Sequence, residues 1–259
     1  MNTVRVGVQL QPQHCTIGEL RAAWQAADAL RVDSIWVWDH FFPLTGDPDG
    51  AHFEGWSLLA AMAVDTAHAR LGAMVACNTY RNPDLVADMA RTIDHLSGGR
   101  LYLGIGAGWF EHDYAEYGYP FGTRRSRLDE LVAGLERITA RLPKLNPPPV
   151  GRLPILIGAS GEKVSLRIVA QYAHAWNTYG TPEVFGTKNA VLDEWCTKLG
   201  RDPAEIERTV LVGVDAIPRW QDYVTAGAAH IMISVENPFD LAPVERLLNE
   251  VRAHRQSID

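Results

Sequence analysis

Asp39 and His40 stand side by side at the end of an aromatic run, WVWDHFFP. A histidine beside a carboxylate can give or take a proton near neutral pH, so His40 is the candidate for proton transfer. A helix cap or a structural histidine would place the same two residues there. Trp36, Trp38, Phe41 and Phe42 flank the pair; some must be core, but a flat aromatic ligand would need such walls. Two glycine-rich turns, GIGAG (104–108) and IGASGEK (157–163), each follow an apolar run. Such turns let backbone N–H groups approach a phosphate, and a following helix N-terminus favours negative charge. Neither is a P-loop, so each alone is a weak signal.

Other chemistries are less well served. None of the nine histidines is spaced H-x-H or H-E-x-x-H, which argues against a metallohydrolase. Ser160 lacks the G-x-S-x-G elbow of a serine hydrolase. Glu111-His112-Asp113 is expected to be a solvated polar turn, with metal binding the lesser alternative. Arg124-Arg125-Ser126-Arg127 precedes a helix and is equally consistent with an anion site or a solvated basic patch.

The elements that must position these residues alternate regularly. Strand-like runs cover 4–10, 34–38, 71–76, 101–108, 154–157, 175–179, 210–214 and 231–235. Helix-period segments lie between them: the stripe Leu20, Ala23, Trp24, Ala27 and Leu30 behind the capping box of Thr16 and Glu19 is one, and the run from Pro83 to Leu96 another. About eight strand–helix units with no internal linker predict a single (β/α)8 barrel across 1–259; a doubly wound open sheet is the alternative. In a barrel the working face lies at the carboxyl ends of the strands. Those ends collect Gln9, Gln11, His14, Asp39, His40, Cys77, Asn78, the two glycine turns, Asn177, Tyr179, Asp215, Glu236 and Asn237. The last two strand ends lack clustered glycine, so a phosphate is expected beside the fourth and fifth strands instead.

Composition narrows the class. Of the 259 residues, 47% are hydrophobic and 21% charged, which excludes a disordered chain. The net charge of −7 argues against nucleic-acid or anionic-membrane partners. Three scattered cysteines, no signal-like N-terminus and no long apolar stretch lead to the expectation of a cytoplasmic protein.

Taken in order, WVWDHFFP, LGAMVACNTYRNP, DHLSGGRLYLGIGAGW and PILIGASGEKVSLRIVAQYAHAWN resemble the luciferase-like monooxygenase family, and within it the branch that uses the deazaflavin coenzyme F420. The resemblance is close from Val4 to Tyr179 and looser beyond. It implies a TIM barrel with the deazaflavin at the strand ends, in a homodimer acting on a small-molecule substrate. It implies that Asp39 hydrogen-bonds the ring, that His40 handles a proton, and that Met74–Val75 is a non-prolyl cis peptide forming a bulge behind the ring. Cys77, Gly106, Ala107, Gly108, Gly158, Ala159, Ser160 and Gly161 fall where the family contacts ring and phosphate. Sugar-phosphate dehydrogenases of this branch carry a glutamate where Trp109 stands, so that activity is not expected, and LPKLNPPPVGR (142–152) is short where relatives carry an insertion. The expected activity is hydride transfer between F420 and an organic substrate. The alternatives are an FMN-dependent monooxygenase and a non-catalytic flavin or deazaflavin carrier.

Overall fold

The alternation of apolar strand and amphipathic helix closes on itself. A computed structural model describes residues 4–256. Its elements begin with β1 (Arg5–Leu10), α1 (Ile17–Ala29), β2 (Ser34–Val37), α2 (Gly55–Asp65), β3 (Arg70–Ala73), β4 (Ala76–Cys77), α3 (Pro83–Leu96) and β5 (Leu101–Gly106). There follow α4 (Glu111–Tyr117), α5 (Arg124–Arg141), β6 (Ile155–Gly158), α6 (Ser165–Tyr172), β7 (Ala175–Tyr179), α7 (Pro182–Lys198), β8 (Glu207–Val212), α8 (Trp220–Thr225), β9 (His230–Val235) and α9 (Ala242–Gln256). All strand pairings are parallel. β1 pairs with both β2 and β9, so the sheet is a closed barrel and the open-sheet alternative is excluded.

β3 and β4 together fill one position of the eight. β3 meets β5 at Leu71–Leu101, and β4 meets it again at Ala76–Ile105. Apolar patterning alone predicts a continuous third strand over 71–76; it breaks instead at Met74–Val75, whose peptide bond is cis, as the family resemblance implies. Met74 still donates its N–H to Val37 O (2.7 Å) and accepts at its carbonyl from Gln9 Nε2 (3.1 Å).

Most of the core lies between barrel and helices, where a residue such as Trp24 is fully buried against its neighbours. A second, smaller cluster fills the barrel itself: Trp36, Met74, Tyr102, Leu156, Ala175 and Met232. Trp36 fits there because residue 72 is glycine. A Cβ at Gly72 would lie 2.3 Å from the Trp36 ring. The helices start where short polar side chains accept their first N–H groups, as Thr16 does for α1, Asn82 for α3 and Thr181 for α7. At the amino-terminal face, Glu207 accepts hydrogen bonds from Tyr102 Oη (2.8 Å) and His230 Nδ1 (2.8 Å) and pairs with Arg5. No helix among the described residues is long and apolar enough to cross a membrane.

Candidate active site

The parallel register brings all carboxyl ends of the strands to one level; Gln9 aligns with Trp36 on one side and Ser234 on the other. A cleft of about 580 Å³ opens there. Asp39, His40, Met74, Val75 and Cys77 border it, as do Gly106–Ala107–Gly108 and Gly158–Ala159–Ser160–Gly161, together with Gln9, Asn177 and Tyr179. His14, Asp215, Glu236 and Asn237 are at strand ends but not on its walls. Asn237 instead donates to His14 O (2.9 Å), tying two loops together.

Adjacent in sequence, Asp39 and His40 serve different partners. The Asp39 carboxylate has no exposed side-chain surface. It accepts both guanidinium arms of Arg81 (2.7 and 3.0 Å) and the Cys77 N–H (3.1 Å). Burial pushes this carboxyl above its usual range, against the opposing pull of Arg81. Arg81 continues to Glu54 (2.7 Å), which also caps α2 through the Trp56 and Ser57 N–H groups. The loop after β2 is thereby braced to the loop after β4.

His40 turns the other way. Its Nδ1 lies 2.7 Å from Asp113 Oδ2, and the same carboxylate accepts Tyr80 Oη–H (2.8 Å) and the N–H groups of Phe41 (3.1 Å) and Phe42 (3.2 Å). Burial pushes Asp113 up, but the hydrogen bonds from His40 and Tyr80 outweigh it and hold the carboxyl below its usual range. An ionised Asp113 can only accept, so Nδ1 carries the hydrogen and Nε2 is the nitrogen left to exchange a proton. The imidazole is walled by the edges of Trp38, Trp109 and Phe110, with ring centroids 6.2, 5.6 and 5.5 Å away. Nearby His52 accepts from Trp38 Nε1 (2.8 Å), and burial drives it down to about 4, so it is neutral at pH 7.

The segment 111–113 is therefore not a solvated turn. It opens α4, whose Asp113 and Tyr114 are buried while Tyr117 stacks on Phe41 (4.0 Å). Two adjacent buried positions, 113 and 114, with Tyr117 one turn on covering Phe41 from the surface, are too short a pattern to separate from a turn in the sequence. Arg81, Glu54 and Tyr80 also escaped the sequence reading, because ordinary polar residues in loops carry no pattern of their own.

The glycine turns form the other wall. Gly108 takes a left-handed conformation (φ 79°), and a Cβ there would lie 2.0 Å from Tyr114 Oη and 2.6 Å from Cys77 Sγ. Burial pushes the Cys77 thiol up, so it is no nucleophile at neutral pH. The basic run after residue 123 divides. Arg125 pairs outward with Asp129 (2.8 Å), whereas Arg124 and Arg127 border the cleft. Arg127 donates to the Gly108 and Phe121 carbonyls (3.1 and 3.0 Å). Arg124 comes close to Gly161, where a Cβ would sit 2.7 Å from its Nη2 and 3.0 Å from Ser165 Oγ.

Comparison with known proteins agrees with this architecture. Residues 2–256 match the family model of the luciferase-like monooxygenases, and the chain belongs to that family. The F420-dependent hydroxymycolic acid dehydrogenase of Mycobacterium tuberculosis is 28% identical, with 94% of this chain and 74% of that protein aligned. Among solved structures, an F420-dependent secondary alcohol dehydrogenase in complex with an F420–acetone adduct superposes with TM-score 0.86 at 15% identity, covering 96% of this chain and 99% of that one. The FMN-bound oxygenating constituent of 3,6-diketocamphane monooxygenase from Pseudomonas putida superposes with TM-score 0.71 at 13% identity, covering 95% and 96%.

Proposed function

We propose that this chain is an F420-dependent oxidoreductase that moves a hydride between the deazaflavin and a small organic substrate, with His40 handling the accompanying proton. The observation that carries the reading is the free Nε2 side of His40, held at an apolar cleft wall by a buried carboxylate behind Nδ1. The mycobacterial relative named as an F420-dependent dehydrogenase supports the choice of cofactor.

The residues present fit such a group. The cleft volume lies within the range of small-molecule sites, and its glycine walls leave no side chain between backbone and ligand. Ser160, Gly161 and Arg124 would hold an anionic tail, while Val75, Ala107 and Gly158 would back a flat ring. A bound deazaflavin supplies a carbon that gives or takes hydride. The protein orients the partners, excludes water and holds a proton at His40 Nε2. A carbonyl substrate would gain hydride at carbon and that proton at oxygen, becoming an alcohol as the reduced cofactor is oxidised.

Absorbance titration of the full chain with F420 and with FMN tests the reading. We expect F420 to bind far more tightly than FMN. Tight FMN binding with oxygen consumption would favour the monooxygenase alternative, and F420 binding without turnover on carbonyl, imine and enone substrates would leave a carrier. His40→Ala should keep its F420 affinity and lose about 10²–10⁴-fold in turnover.

A further inference from the structure

Trp109 and Tyr179 border the cleft, and their side chains are left largely in water, Trp109 63% and Tyr179 69% exposed. An unburied Trp at the mouth of a site is apolar surface waiting for a ligand, since burying one removes roughly 150–250 Å² from water. Trp109 also touches the reacting end of the site, its ring edge-on to His40 at 5.6 Å.

The carboxylates nearest that end are buried and paired. Asp113 lies behind the imidazole with no exposed side-chain surface. Asp39 is likewise sealed and paired with Arg81. His52 is neutral at pH 7 because burial lowers it to about 4. The rings of Trp38, Trp109 and Phe110 stand around the imidazole, and the side chain of Leu44 borders the same cleft. The two arginines that border the cleft, Arg124 and Arg127, belong to the wall of the glycine turns, where Arg127 is tied to the Gly108 and Phe121 carbonyls; the charge in contact with His40, on Asp113, is negative. A charge carried on the body of a substrate would leave water for a wall built largely of rings and aliphatic side chains.

We infer that the substrate is an uncharged, apolar or aromatic carbonyl compound or the corresponding alcohol, and that Trp109 sets this preference by covering its apolar body. The inference rests on the oxidoreductase reading, which names the reacting group, but its test does not need turnover.

The test uses three probes matched in shape: acetophenone, 4-acetylbenzoate and 4-acetyl-N,N,N-trimethylanilinium. Their dissociation constants are measured by calorimetry on the full chain, first cofactor-free and then with F420, whose own affinity is measured separately. Acetophenone should bind at least about tenfold more tightly than either charged probe. Trp109→Ala should raise the acetophenone constant at least about fivefold and leave F420 affinity within about twofold. Trp109→Phe should restore most of the loss, and because the side chain is exposed both variants should keep the wild-type melting temperature. Equal or tighter binding of a charged probe, no binding of any probe, or an unchanged constant in Trp109→Ala would overturn the inference. Failure of F420 to bind, with the probe preferences intact, would overturn the cofactor reading and leave the apolar preference standing.

Discussion

His40 Nδ1 and Asp113 Oδ2 meet at 2.7 Å although 73 positions separate them in the chain. Asp113 is offered from the first turn of α4, and His40 from the loop that follows β2. With Phe41 and Phe42 N–H groups and Tyr80 on the same carboxylate, the imidazole plane is set by four hydrogen bonds rather than by one. Such a group fixes the tautomer of the histidine as well as its direction.

Asp113→Asn should therefore act through His40. An amide can present its NH₂ where an acceptor is required, which misdirects the ring, and turnover should fall by about 10²–10⁴ while F420 affinity changes little. Losing charge-assisted bonds should also cost about 1.5–3 kcal/mol in urea unfolding. Because the folded carboxyl is held below its usual value, its contribution is present above about pH 4 and is lost as pH falls through the folded value. The variant should show a shallower acid decline in stability; an acid limb identical to wild type would mean that Asp113 is not ionised in the native state.

Arg81→Met tests the brace on the opposite side of the pair. It would strand the sealed Asp39 carboxylate without its cation, and breaking a buried ion pair in this way costs about 3–5 kcal/mol. The double variant Asp39→Asn/Arg81→Met should recover a large part of that loss in chemical denaturation. If the double variant is no more stable than Arg81→Met, the two residues are not energetically coupled.

Gly161→Val probes the anion-holding wall. No positive φ is involved, so the substitution meets only Arg124 Nη2 and Ser165 Oγ, both displaceable side-chain ends. The protein should fold normally, yet F420 affinity should weaken about tenfold, or 1.4 kcal/mol. An unchanged affinity would move the anionic tail to another part of the cleft.

Glu207 belongs to the amino-terminal face and should matter for stability alone. Burial pushes its carboxyl up, but His230, Arg5 and Tyr102 outweigh that and hold it at about 2. A depressed carboxyl stabilises the fold above its unfolded value near 4.5, and the contribution disappears between pH 4.5 and about 2. The shift corresponds to about 3 kcal/mol. Glu207→Gln should lower stability at pH 7 and flatten its fall in that window, leaving cofactor affinity at neutral pH unchanged. Loss of F420 binding in a folded Glu207→Gln protein would contradict this division between the two faces.

The order of strands and helices was legible in the chain because burial imposes a period on each. Apolar runs such as Leu101–Gly106 must lie in a barrel covered on its outside, and the stripe through Leu20, Trp24 and Ala27 must face it. The turns at Gly106–Gly108 and Gly158–Gly161, and the place of His40 just past β2, are local features that sequence reasoning located on the cleft wall. The cis bond at Met74–Val75 was implied by family resemblance but by no periodicity, and only the tertiary structure decided that Arg81 rather than His40 is the partner of Asp39 and that Asp113 stands behind His40. Periodicity records which face of an element is buried, whereas a hydrogen bond between two loops depends on where the closed barrel brings them. Those loops approach each other only when β2, β4 and β5 are held side by side, and no spacing within any one segment encodes that distance.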